Sequence, residues 1–103
     1  MVTLTIDEKT RNILDLFTGR DYREKLGNLA KEVIKSKIKE CNELIANFES
    51  KYRMKFEEFR RAWEAGKIKD KYSHEVEADY IEWEALEMEK ERWLELLKGE
   101  GES

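Results

Sequence analysis

Residues able to do chemistry are scarce in this chain. There is one histidine, His74, and one cysteine, Cys41, in 103 residues. A lone histidine rules out a multi-histidine metal site within one chain. Di-iron helical bundles place a glutamate three residues before their histidine; Lys71 holds that place here. His74 therefore reads as a first-turn surface residue, in spite of Glu77, Asp79 and Glu82 nearby. Cys41 lies on an apolar stripe and reads as an inert buried thiol, with no second cysteine for an internal disulfide. Carboxylate neighbours such as Glu57-Glu58 or Glu82 and Glu84 are common in a chain with 24 acidic residues, so they do not mark acid–base catalysis. A nucleophile needs a base and an orienting group beside it, and no such set assembles. No glycine-rich phosphate loop is present. The expectation is a protein that is not an enzyme and takes neither metal nor cofactor.

The elements that must position any binding surface are helical. From Arg20 to Tyr52, residues placed at about 100° per step put Leu26, Leu29, Ala30, Val33, Ile34, Ile38, Cys41, Leu44, Ile45, Phe48 and Tyr52 on roughly half the circumference. Lys31, Glu32, Lys35, Lys39, Glu40 and Glu43 occupy the other half. Similar positions recur after about eleven residues (Ala30, Cys41, Tyr52), which keeps a nearly straight helix facing one way. A stripe this wide needs more than one neighbour, and at ~1.5 Å per residue the helix is about 50 Å long. A second copy of the chain is the expected cover, with Leu29, Val33, Ile34, Cys41, Leu44, Ile45 and Phe48 as the dimer interface. A higher homo-oligomer satisfies the same requirement.

Other elements flank this helix in a single domain covering 1–103. An N-terminal arm, 1–19, opens with a strand-like alternation at Val2-Thr3-Leu4-Thr5-Ile6. It continues into a helix of about ten residues capped by Asp7, with Ile13, Leu14 and Phe17 as its face, and Gly19 closes it. Asp21 and Glu24 form a capping-box pattern at the start of the central helix, 20–52. A short helix at 55–65 carries Phe56, Phe59 and Trp63, read as core, and Gly66 caps it. After a charged connector, Ser73 caps an acidic C-terminal helix, 73–98. Val76, Tyr80, Trp83, Leu86, Trp93, Leu94 and Leu97 share one arc of that helix, while Ile81, Ala85, Met88 and Leu96 lie roughly opposite. The predicted fold class is mainly α: a long central helix with packed N- and C-terminal helices and a short N-terminal strand, assembled as a dimeric helical bundle.

Composition narrows the class. Charged residues make up 43% of the chain and proline is absent, which removes the strongest helix breaker. Abundant Lys and Glu without glutamine match heat-adapted proteins. Residues 1–53 hold 11 basic against 9 acidic side chains, and residues 54–103 hold 9 against 15, so a front of +2 meets a back of −6. No apolar run is long enough to span a membrane and no signal peptide is visible; the expected setting is soluble and cytoplasmic.

Strand, helix, glycine turn and second helix is also the order of a ribbon-helix-helix module. In that case Thr3 and Thr5 face bases and Arg20 meets phosphate at a helix N-terminus. The strand lacks Arg, Lys, Asn and Gln to read base edges, and a front half of only +2 gives DNA a thin electrostatic footprint.

The run Phe17-Thr18-Gly19, Glu24-Lys25-Leu26, Cys41 and Phe48-Glu49-Ser50-Lys51-Tyr52, then Met54, Phe56-Glu57-Glu58-Phe59 and Trp63, resembles small archaeal antitoxin-like proteins. Ser73-His74-Glu75-Val76-Glu77, Asp79 and Trp83-Glu84 extend the resemblance over nearly the whole chain. Glycine is usual after Lys-Tyr in that pattern, and Arg53 stands there instead. The resemblance implies neutralisation of a small toxin by wrapping, with DNA autoregulation. On that footing the acidic C-terminal helix covers a basic toxin surface through Ile81, Glu82, Trp83, Ala85, Met88 and Glu89. The alternative is a stand-alone oligomeric helical scaffold with no toxin partner.

Overall fold

The computed structural model describes residues 5–101. It contains four helices and, among the described residues, no strand: α1 (Glu8–Leu14), α2 (Tyr22–Tyr52), α3 (Phe56–Glu64) and α4 (His74–Gly101). The protein is mainly α, as the periodicity predicts. The predicted strand lies largely outside the described residues; Thr5 and Ile6, which are described, join no ladder.

Three of the four helices start where the sequence marks a cap; α3 follows Lys55, which makes no side-chain cap. Asp7 accepts the Thr10 backbone N–H at 2.7 Å, and Asp21 accepts that of Glu24 at 2.9 Å. The capping box is half-made, because the Glu24 carboxylate turns to the Arg20 guanidinium at 2.7 Å instead of to the cap backbone. Ser73 Oγ accepts the Val76 N–H at 3.2 Å.

α1 is shorter than expected. It stops at Leu14, and the Leu16 and Phe17 N–H groups fold back onto the Ile13 and Leu14 carbonyls in a tight turn. Of the predicted face only Leu14 is fully buried; Ile13 is exposed and Phe17 half-buried. Gly19 is thus not the cap of α1. It sits in the connector at φ 154, and a Cβ there would lie 2.8 Å from the Lys25 backbone nitrogen. The glycine lets the connector lie flat against the first turn of α2. A Lys25–Asp15 ion pair at 3.1 Å ties the two helices together.

α2 ends at Arg53, a left-handed residue with φ 56 and ψ 40. The chain reverses there into α3, Gly66 (φ 71) follows α3, and the connector delivers α4 back along α2. Pairings along the two helices give their direction: Lys51 with Glu75 and Asp79, then Phe48 on Trp83 at a centroid distance of 5.5 Å. α2 and α4 are therefore antiparallel arms of one helical hairpin.

The core sits near the closed end of that hairpin. Cys41, Ile45, Phe59, Val76, Trp83 and Leu86 are buried together. Trp83 is 0% exposed, with the rings of Phe59, Phe56, Phe48 and Tyr52 at 5.0, 5.4, 5.5 and 5.9 Å. α3 is held in place by this aromatic cluster, as its three aromatics predict. The molecule is long, 56 × 26 × 21 Å with a radius of gyration of 19.6 Å, against about 13 Å for a compact domain of this size.

The expected cover of the central stripe by a second copy needs correction. Ile34, Cys41 and Ile45 are buried and Phe48 is half-buried within a single chain, so a second copy is not needed to cover them. The reason is connectivity: α3 turns the chain through the reversal after Tyr52, so α4 reaches the stripe first. Only one flank stays open, with Val33 47% and Leu44 46% exposed and Leu29 half-buried.

Candidate interaction surface

Three regions carry candidate residues. His74 is exposed at the start of α4. No group of three or more His, Cys, Asp or Glu able to hold a metal ion occurs among the described residues. Cys41 is buried, and burial raises its thiol above the ordinary range, which disfavours the nucleophilic thiolate. Of the nucleic-acid candidates, only Thr5 and Arg20 are among the described residues. Thr3 lies outside the described residues, Thr5 is exposed in irregular backbone, and the Arg20 guanidinium is taken up by Glu24.

The outer face of α4 is the first region. With α4's inner arc buried on α2 and α3, Ile81 is 68% exposed, Met88 56% and Leu96 55%. Ala78 and Ala85, both exposed, complete a spine at 78, 81, 85 and 88. That three–four spacing is the seam of a helix-pairing surface. Glu82 and Glu89 border the spine on one side, Glu77, Glu84 and Glu91 on the other. Over its length α4 carries ten acidic against three basic side chains, so the apolar spine is framed by negative charge. Of the predicted partner contacts, Ile81, Glu82, Ala85, Met88 and Glu89 lie on this exposed side. Trp83 does not. It is the hub of the core, because one residue beyond Glu82 on a helix is a turn of about 100°.

An open groove of ≈ 950 Å³ adjoins this face between α2, α3 and α4. Ile45, Phe56, Met88 and Leu94 supply its apolar part, and its rim is mixed in charge, with Glu87 and Glu91 beside Lys55, Arg60 and Lys90. Being open, it extends the surface of α4 more than it encloses a ligand.

The third region went unpredicted. At the closed end of the hairpin the Lys51 ammonium bridges Asp79 at 2.6 Å and Glu75 at 2.8 Å, while the Tyr52 hydroxyl donates to Asp79. Asp79, then Glu75, hold the Lys51 ammonium charged and raise its pKa. Burial, followed by the hydrogen bond to Asp79, raises the Tyr52 phenol to about 12. The partners are separated by 24 to 28 positions in the chain. No local pattern announces such a latch; only the antiparallel pairing of the two arms does.

Comparison with known proteins gives a match to a family model described as the uncharacterized protein MJ0235 family, over residues 20–99. Neither a curated protein nor a solved structure matches the chain.

Proposed function

The chain belongs to the uncharacterized protein MJ0235 family, whose model spans α2, α3 and nearly all of α4, and from that premise we propose that it is an antitoxin-like interaction module. It dimerises, and it neutralises a small basic protein by laying the outer face of α4 against it. The observation that supports this is the Ile81–Met88–Leu96 spine, left open on an acidic helix whose other side buries Val76, Trp83 and Leu86 in the fold. An amphipathic helix offered in this way is a common recognition mode. The acidic frame speeds encounter with a basic partner and rejects acidic ones, while the apolar spine supplies contact area.

The test is co-expression with the small basic protein encoded beside this chain, if there is one. Growth arrest by the neighbour alone and rescue by co-expression are expected. Replacing Ile81 and Met88 together by glutamate should abolish both rescue and co-purification. Unfolding stability should stay within about 0.5 kcal/mol, since both side chains are exposed and clear of the core. A neighbour that is harmless alone ends the toxin part and leaves the oligomeric scaffold. DNA autoregulation is checked separately: no salt-dependent gel shift on the upstream region removes it.

A further inference from the structure

We infer that the open flank of α2 is the homodimer surface, and that it pairs with a second copy antiparallel, about a two-fold axis midway between Ile38 and Lys39. This deepens the dimer part of the proposed function and leaves the partner face on α4 free. After α4 has covered the inner stripe, what remains on α2 is a seam of alternating four- and three-residue steps: Leu26, Ala30, Val33, Lys37, Glu40, Leu44. Val33 and Leu44 are about half exposed. The Lys37 and Glu40 side chains are 45% and 60% exposed and meet each other at 3.5 Å.

Self-complementarity selects the arrangement. In the antiparallel register proposed, Val33 faces the second copy's Leu44 and Lys37 faces its Glu40, each contact occurring twice, as an isologous interface requires. Ala30 then faces Asn47, a small side chain beside a polar one, and at the outer ends Leu26 faces Lys51. Sliding the copies by one heptad sets Val33 against Lys37 in one direction and against Lys51 in the other, and in both it parts Val33 from Leu44 and Lys37 from Glu40 at the centre of the seam. Parallel pairing sets Lys37 on Lys37 and Glu40 on Glu40, which repel. The outer face of α4 does not compete for a second copy, because its spine is bordered by glutamates on both sides and two such faces repel.

The experiment uses the full chain with Cys41→Ser as background. The double variant Val33→Cys, Leu44→Cys should form a covalent dimer on mild oxidation, read on a non-reducing gel. The single variant Val33→Cys should stay monomeric on that gel, since its copies lie about 16 Å apart along the axis in this register, beyond the ~4.5–7 Å that a disulfide spans. In sedimentation equilibrium, Lys37→Glu and Glu40→Lys should each weaken the dimer by at least about tenfold, and the charge-swapped double variant should restore it. Circular dichroism confirms that each variant keeps its helices. A single Val33→Cys variant that cross-links as readily as the double, or a dimer unmoved by either charge change, overturns the register. A parent protein that is monomeric throughout the micromolar range overturns the dimer. Neither outcome touches capture of a basic partner through Ile81 and Met88, which the growth assay reads independently.

Discussion

Trp83 decides how far single residues matter in this chain. It is the largest fully buried side chain among the described residues and bridges α2, α3 and α4 through four rings. Trp83→Ala should cost about 3–5 kcal/mol in urea unfolding, the range for emptying a large aromatic site. Trp83→Phe should cost clearly less, because the indole N–H has no hydrogen-bond acceptor among the described residues and phenylalanine removes that unpaired donor. Equal losses for the two variants would mean that the donor is satisfied. Tyr52 yields a pH prediction. Its phenol is ordinarily half-ionised at 10.0 and is pushed up to about 12 in the fold, so the folded state favours the neutral form. The resulting stability is complete below pH 10 and drains away as pH climbs toward 12. Lys51, with its pKa also raised, acts in the same direction at still higher pH. Tyr52→Phe should flatten the alkaline fall of the melting temperature, and an unchanged alkaline profile would mean that burial and Asp79 do not hold the phenol neutral. At this scale the burial of Cys41 and the exposure of His74 were legible in advance, from their places on the apolar stripe of α2 and in the first turn of α4. The placing of Trp83 on a partner face was wrong, because adjacency in sequence to Glu82 says nothing about which side of a helix turns inward.

At the scale of elements, caps and periodicity found all four helices to within a few residues, because Asp7, Asp21 and Ser73 each satisfy N–H groups that a helix start leaves open. What they could not give is which arm covers which stripe. A helical wheel defines an apolar face and not its occupant, so the stripe of α2 was assigned to a second copy when α4 of the same chain takes most of it. The length of α1 was overestimated for a related reason: Ile13 and Phe17 fit a helical period, yet the chain needs a tight turn after Leu14 to bring Asp15 to Lys25. The α2–α3 reversal gives the prediction belonging to this scale. Arg53 holds a left-handed conformation that glycine adopts without steric penalty. Arg53→Gly should therefore raise stability by about 0.5–1 kcal/mol in thermal unfolding, the relief of left-handed strain outweighing the added freedom of the unfolded chain. A loss of stability would show that the arginine side chain holds the turn by a contact worth more than that relief.

Taken whole, the molecule is lopsided. The aromatic cluster, the Lys51–Asp79 latch and α3 all lie toward the reversal between α2 and α4. Beyond Trp93 the arm of α4 carries Leu94 and Leu96 largely exposed. No helix among the described residues is long and apolar enough to cross a membrane. Amide exchange should follow the same gradient: slowest between about 76 and 86, and progressively faster after 94, because local opening is governed by buried contacts. Uniform protection along α4 would mean that its far end is held as firmly as its start. Placing the firm packing at one extremity also gives the protein a mechanical character. It is built like forceps, riveted at the aromatic end, with jaws that part under a lighter pull than the rivet, so a ligand that prises the tips apart works against a few aliphatic side chains, Ile34 among them, and not against Trp83.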